Sequence, residues 1–332
     1  MKYTKLGNSD MEVSVVAFGC WGIIGGFNWG PQDKQDSIAA LKAALGAGIT
    51  LFDTAEGYGN GSSEQLVGEG LGDRRKEIVI ASKVSGGHLA PDQLAEACER
   101  SLQNLGTDWI DLYQVHWPNR SIPVEDAFGT LEKLKEGGKI REYAVSNFGV
   151  QDLAGIYDIG YSVVSNQLCY NMLFRAIEYD IQQVCVERNI GILCYSPLMQ
   201  GLLTGKYGSP DDIQTDRART RHYSGDRPHA KHGEPGHEEL VFSAIAEIQE
   251  VAAEIDQPTA NVALAWLLNQ PAVACVIAGG RNPDHSRQNA EAADLELTDD
   301  VLKRLDQITG PLKDAMGPNP DMWNTAEKSR IQ

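Results

Sequence analysis

The chain has no apolar run approaching the roughly 18 residues that a membrane-spanning helix needs. Met1–Cys20 carries polar groups where a secretion signal would place its hydrophobic stretch. These two absences predict a cytoplasmic protein with no membrane partner. Cysteine is sparse and unpatterned: Cys20, Cys98, Cys169, Cys185, Cys194 and Cys275 show neither CxxC nor zinc-type spacing, which predicts buried, reduced thiols rather than a disulfide framework. Positive charge is short as well. Lys and Arg number 29 against 46 Asp and Glu, a formal charge of -17, so most of the surface repels a nucleic-acid backbone. A local cationic pocket for one small phosphorylated molecule remains compatible with that balance, because surface charges act over about a Debye length. No Gly-x-Gly-x-x-Gly follows the first strand-like run, and no Pro/Ser-rich linker divides the chain.

What is present is alternation. Eight β-branched runs, Val13–Gly19, Ile49–Ala55, Glu77–Lys83, Trp109–His116, Lys139–Asn147, Tyr161–Gln167, Ile190–Ser196 and Pro271–Gly280, alternate with amphipathic stretches. The stretches are Asp36–Ala47, Ser63–Leu71, Pro91–Leu105, Val124–Glu136, Val150–Ile159, Arg175–Arg188, Glu239–Glu254 and Pro283–Ala293. Eight such units predict an α/β fold, a (β/α)8 TIM barrel, ahead of an open doubly wound sheet or a two-domain arrangement. Thr4–Gly7 and Met11–Ser14, flanking Asn8-Ser9-Asp10, predict an N-terminal β-hairpin that plugs the barrel bottom. Pro91 and Pro283 suit first helical positions, and Gly48, Gly137 and Gly191 suit left-handed helix ends. The whole of 1–332 reads as one domain with a long loop at 208–239 and an aperiodic tail at 310–332.

In a barrel, the carboxyl ends of the strands converge on one face. Asp53, Lys83, His116 and Ser146 end successive strands at spacings of 30, 33 and 30 residues, about one βα repeat each, and Tyr58 follows Asp53 on a short loop. Singly, each has an ordinary structural explanation as a cap or solvated loop residue. Together they form a complementary set. Tyrosine, with a reference pKa near 10, becomes a better acid beside an ammonium, and Asp53 would keep Lys83 protonated. His116 would orient a carbonyl and help relay the proton. No side chain donates hydride, so this chemistry requires a nicotinamide cofactor.

Seven stretches, Leu51–Leu71, Ile78–Lys83, Ser101–Pro118, Gly138–Phe148, Gln167–Asn171, Tyr195–Tyr207 and Ile277–Asn289, closely resemble the aldo-keto reductases. The resemblance is strongest to bacterial members related to the potassium-channel β-subunit branch. It implies Tyr58 as acid/base, Lys83 lowering its pKa, Asp53 pairing with Lys83 and His116 positioning a carbonyl. It also assigns Ser146, Asn147 and Gln167 to the nicotinamide carboxamide, Tyr195 to stacking on the ring, and Ser196, Leu198, Gly201 and Lys206 to the pyrophosphate. Gly279, Gly280, Arg281, His285, Gln288 and Asn289 fall at the adenosine end, with Asn282 capping the helix that Pro283 begins. Arg281 there predicts NADPH, with NADH still usable, since relatives often carry Arg or Gln at His285, Glu at Gln288 and Pro at Ala278.

Trp21, Phe27, Trp29 and Trp117 are candidate walls of an apolar substrate pocket. In the long loop, Arg217, Arg219, Arg221 and Arg227 are candidate lid cations, while His229-x2-His232 lacks further ligands and predicts no metal. Trp323 is placed either folded over the pocket or in exposed tail. The expected activity is NADPH-dependent reduction of a small-molecule aldehyde or ketone. Two alternatives stand beside it: a nicotinamide-sensing binding subunit with slow turnover, and a Schiff-base aldolase using Lys83.

Overall fold

A computed structural model of the protein describes residues 1–26 and 29–332. The chain begins with a two-stranded antiparallel hairpin, β1 (Tyr3–Lys5) and β2 (Glu12–Ser14), in which Thr4 pairs with Val13. It then enters β3 (Val16–Gly19). The run read from Val13 to Gly19 is therefore two strands. The corner falls at Ser14–Val16, where the Ser14 hydroxyl donates to the Val16 carbonyl at 2.7 Å; burial on both sides of the corner hides it from a hydrophobicity pattern.

Seven further strands follow: β4 (Leu51–Asp53), β5 (Val79–Val84), β6 (Ile110–Val115), β7 (Ile140–Ser146), β8 (Ser165–Cys169), β9 (Gly191–Tyr195) and β10 (Val273–Gly279). Each pairs in parallel with its predecessor and β10 closes on β3, giving an eight-stranded barrel. Leu6 and Val13 of the hairpin pack with Ala17, Leu51, Ala81 and Leu112 into an apolar floor inside the barrel. Gly7, at φ +54°, brings the hairpin against the barrel so closely that a Cβ would lie 2.1 Å from the Val164 carbonyl oxygen.

Helices α1 (Lys34–Gly46), α2 (Ser62–Leu71), α3 (Pro91–Leu105), α4 (Val124–Glu136) and α5 (Val150–Asp158) follow their strands as the amphipathic pattern predicts. The stretch Arg175–Arg188 is broken: a 3-10 turn precedes α6 (Ile181–Arg188), because Asp180 adopts an extended φ and caps the Ile181 N–H at 2.6 Å. Then come α7 (Glu238–Glu254), α8 (Thr259–Leu268), α9 (Pro283–Glu291) and α10 (Asp299–Met316).

Two helices were not legible. Ala260–Leu267 of α8 is buried all round and so shows no polar face, while α10 runs through Pro311 into the stretch read as tail. Leu305, Thr309, Leu312 and Met316 are the buried face that carries α10 past the proline. Two helix-end glycines are also corrected. Gly137 is right-handed and the left-handed turn belongs to Gly138, whereas Gly191 lies in β9 and Asn189 supplies the left-handed cap of α6. Gly48 is left-handed as predicted, and all six cysteines are buried and unbridged.

Candidate active site

Asp53 is the last residue of β4, Lys83 the penultimate residue of β5, and His116 directly follows β6. Parallel register therefore sets them side by side at the carboxyl rim. Lys83 is fully buried, and its Nζ donates to Asp53 Oδ1 at 2.6 Å, to the Thr54 carbonyl at 2.8 Å and to Tyr58 Oη at 3.2 Å. Tyr58 is held by a tight turn in which its N–H donates to the Ala55 carbonyl and its own carbonyl accepts from Ser63 at the start of α2. The His116 ring meets the Tyr58 ring edge-on with centroids 5.8 Å apart.

The other Asp53 oxygen accepts from Gln167 Nε2 at 2.7 Å and from Gln114 Nε2 at 3.2 Å. Gln114 is a residue that sequence reading missed. Its signal was present: it lies two positions before His116, so both point into the barrel, and an inward-facing amide is unusual enough to notice. Ser146 donates from Oγ to the Gln167 carbonyl at 2.9 Å. Asn147, at φ +64°, donates to the His116 carbonyl and accepts from Tyr195 Oη at 2.9 Å. The ends of β6, β7, β8 and β9 are thereby tied together.

Burial sets the electrostatics. It pulls the Lys83 ammonium down, but Asp53 and the Tyr58 oxygen more than restore it, so the net shift is upward and the group stays charged. For Tyr58 burial is again the largest influence and pushes the phenol up; Lys83 pulls in the opposite direction without prevailing. Lys83 thus lowers Tyr58 as expected, but the net shift in the protein alone is upward, because desolvation of a phenolate outweighs one neighbouring cation. Burial, aided by Lys83, pushes His116 down to about 3, so its imidazole is neutral at physiological pH. A neutral ring has one N–H to donate to an oxygen and one bare nitrogen to accept with.

A cavity of about 1130 Å³ opens over this cluster. Its lining brings together Asp53, Tyr58, His116, Ser146, Asn147 and Gln167 from the rim of β4 to β8, Tyr195, Ser196, Leu198, Gly201 and Lys206 from the end of β9 and the segment after it, and Gly279, Gly280, Arg281, His285, Gln288 and Asn289 from the end of β10 and α9. Trp21, Trp29 and Trp117 form walls, whereas Phe27 lies outside the described residues. Lys83 sits behind Tyr58 and Asp53 and does not reach the cavity surface. In the segment after β10, Asn282 caps α9 by accepting from the His285 N–H at 2.9 Å. Asn289 spends its amide on the Gly279 carbonyl.

The long loop divides its arginines. Arg217 and Arg219 line the cavity, joined by Lys231 and His229. Arg221 instead pairs with Glu234 and donates to the Met316 and Asn319 carbonyls, and Arg227 pairs with Glu238 and Asp211, so neither lines it. His232 accepts from the Glu234 N–H, and among the described residues no group of three or more His, Cys, Asp or Glu could hold a metal. The tail folds over the rim. Trp323 lies parallel to Tyr195 with centroids 6.4 Å apart, and Arg330 sits 3.8 Å from the Trp117 ring centroid while its guanidinium chelates buried Asp321. Arg330 carries no sequence signal, since only the folded tail delivers it.

The sequence model of the aldo/keto reductase family matches residues 16–309. The chain is 30% identical over 330 residues to a Bacillus subtilis (strain 168) protein named aldo-keto reductase YhdN, covering 96% of this chain and 97% of that one. It is 30% identical over 324 residues to an Escherichia coli (strain K12) protein named NADH-specific methylglyoxal reductase, covering 90% and 95%. A Klebsiella pneumoniae aldo-keto reductase solved in complex with NADPH superposes with a TM-score of 0.74 at 27% identity, covering 93% of this chain and 95% of that one.

Proposed function

The chain belongs to the aldo/keto reductase family, and from that premise we propose that it reduces an aldehyde or ketone to the alcohol with NADPH, using Tyr58 as the proton donor. The observation that carries this reading is the contact of the Lys83 ammonium with Tyr58 Oη at 3.2 Å and Asp53 Oδ1 at 2.6 Å, at the wall of a dinucleotide-sized cavity. That cavity exceeds the range of about 300–1,000 Å³ typical of a single small ligand, leaving room for cofactor and carbonyl together.

The lining fits a nicotinamide dinucleotide. Ser146, Asn147 and Gln167 offer amide and hydroxyl groups from β7 and β8, and the N-terminus of α9 beside Gly279 and Gly280 favours an anion. Gly201, at φ +100°, packs so near the Lys206 ammonium that a Cβ would lie 3.2 Å from Nζ, a backbone cradle beside a cation. When bound, the reduced nicotinamide supplies the hydride.

The residues of the chain supply the rest. Burial keeps the Tyr58 phenol protonated through neutral pH, which a proton donor requires. Lys83 stabilises the phenolate left behind, making transfer easier than from an equally buried lone tyrosine. Asp53, braced by Gln114 and Gln167, holds Lys83 in place and charged. The neutral His116 ring directs a hydrogen bond toward the carbonyl oxygen and so fixes which atom meets the phenol. Trp21, Trp29 and Trp117 exclude water and favour substrates with apolar surface. The same geometry weighs against a Schiff-base lyase, since Lys83 is enclosed by three acceptors and remains charged.

Substituting Tyr58→Phe removes the proton and keeps the ring. Turnover of a carbonyl panel is expected to fall by a factor on the order of 10² to 10⁴, while quenching of tryptophan fluorescence by NADPH persists. Unchanged turnover would refute the assignment. Running NADPH and NADH in parallel on the unsubstituted protein separates a reductase from a nicotinamide-sensing subunit, which would bind tightly and reduce nothing.

A further inference from the structure

Arg281 follows β10 by two residues, yet its guanidinium is committed to the loop after β3. Its Nε donates to Gln32 Oε1 at 2.7 Å, one terminal nitrogen donates to the Trp29 carbonyl at 2.6 Å and the other to the Pro31 carbonyl. Gln32 returns the contact, donating from Nε2 to the Arg281 carbonyl at 2.9 Å. All of these acceptors are neutral, and among the described residues no carboxylate pairs with Arg281. Three of the five N–H donors of the arginine therefore hold the loop. The side-chain stem passes beside Gly22, where a Cβ would lie 3.8 Å from Arg281 Cγ.

The loop so held carries the pocket wall. Gly26 and Gly30 close it by a short antiparallel bridge, with the Gly26 N–H donating to the Gly30 carbonyl at 2.9 Å. Trp29 then meets Trp21 edge-on at 5.4 Å between centroids, and Trp21 lies over Tyr58 at 6.1 Å and 24°. A continuous path of contacts thus runs from the segment after β10 through two indoles to the phenol.

We propose that Arg281 is a positioning residue for the substrate pocket: it braces the Trp29–Gln32 segment, and through Trp29 and Trp21 the wall over Tyr58, whether or not a 2′-phosphate is present. This inference rests on the reductase reading for its kinetic consequence. It departs from assigning Arg281 to phosphate recognition alone, because a residue that only grips the phosphate has no influence on a reaction supported by NADH.

The test uses Arg281→Ala, Arg281→Lys and Gln32→Ala in the full chain. Amide exchange of Gly26, Trp29 and Gly30 is measured without nucleotide, and kcat and KM for the carbonyl are measured with saturating NADH. Expected are faster exchange at those three amides in both Arg281 variants, and a carbonyl KM raised by roughly tenfold with NADH, a loss the size of one charge-assisted hydrogen bond. Lysine keeps the charge but cannot span three acceptors, so Arg281→Lys follows Arg281→Ala with NADH while retaining more of the affinity for NADPH. Gln32→Ala removes one acceptor of Arg281 while leaving the cation itself in place, and shows the same direction at smaller size. Unaltered exchange, or an unaltered carbonyl KM with NADH and a loss confined to NADPH, overturns the proposal. Should the unsubstituted protein reduce no carbonyl with either nucleotide, the reductase reading fails instead, and amide exchange alone decides whether Arg281 braces the loop.

Discussion

At Lys83 stability and the proposed chemistry meet in a single side chain. A fully buried ammonium survives only because Asp53, the Thr54 carbonyl and Tyr58 Oη receive its three protons. Replacing it by methionine strands the Asp53 carboxylate among Gln114 and Gln167. Lys83→Met is therefore expected to cost about 3–5 kcal/mol of folding stability, measured by urea denaturation, and to abolish turnover. Tyr58→Phe should spare stability by comparison. The double variant should be scarcely slower than either single one, because residues that act as a unit lose their effect together; multiplicative losses would show that they act separately. The spacing of Asp53, Lys83 and His116 was readable from the strand ends. Gln114 was overlooked although it shares a strand face with His116, since a single amide near a strand end looks like ordinary polarity until its carboxylate partner is seen.

Among the elements, α2 carries the turn that presents Tyr58, and its position depends on close approach to α3. Gly68 makes that approach: a Cβ there would lie 2.4 Å from the Leu105 carbonyl oxygen, a backbone atom with no room to yield. Gly68→Ala is expected to destabilise the protein by about 1–3 kcal/mol through overpacking, seen as a lowered urea midpoint. An unshifted midpoint would mean that the two helices can separate freely. Helices with one apolar face, such as α3 and α4, were legible to the residue. Helix α8 was not, because burial on every side erases periodicity, and α10 was cut short because a proline reads as a stop unless a buried face carries the helix beyond it.

For the molecule as a whole, acid should be destabilising through buried neutral histidines. His222 is fully buried; its Nε2 contacts the Leu173 carbonyl at 2.9 Å and its Nδ1 contacts Thr220 Oγ1 at 3.1 Å. Burial pushes it down from 6.5 to about 3. Between those two values the unfolded chain binds a proton that the folded chain refuses, so stability falls as pH falls, by about 1.4 kcal/mol per pH unit for one such group. His116 adds to the loss with the same sign. His222→Gln should flatten urea-denaturation stability between about pH 7 and 4 by one proton's slope; an identical slope would show that His222 protonates freely in the folded state. Local pattern by itself determined the eightfold alternation, the barrel that follows from it and the spacing of Asp53, Lys83, His116 and Ser146 at strand ends, because alternation and strand-end spacing are properties of neighbours along the chain. Tertiary structure alone decided that Gln114 faces Asp53, that burial outweighs Lys83 at Tyr58, that Arg330 and Trp323 arrive from the tail, and that Arg281 grips the Trp29 loop. Each of those depends on desolvation or on partners distant in the chain, up to 252 positions for Arg281 and Trp29, and neither is encoded by any short stretch of residues.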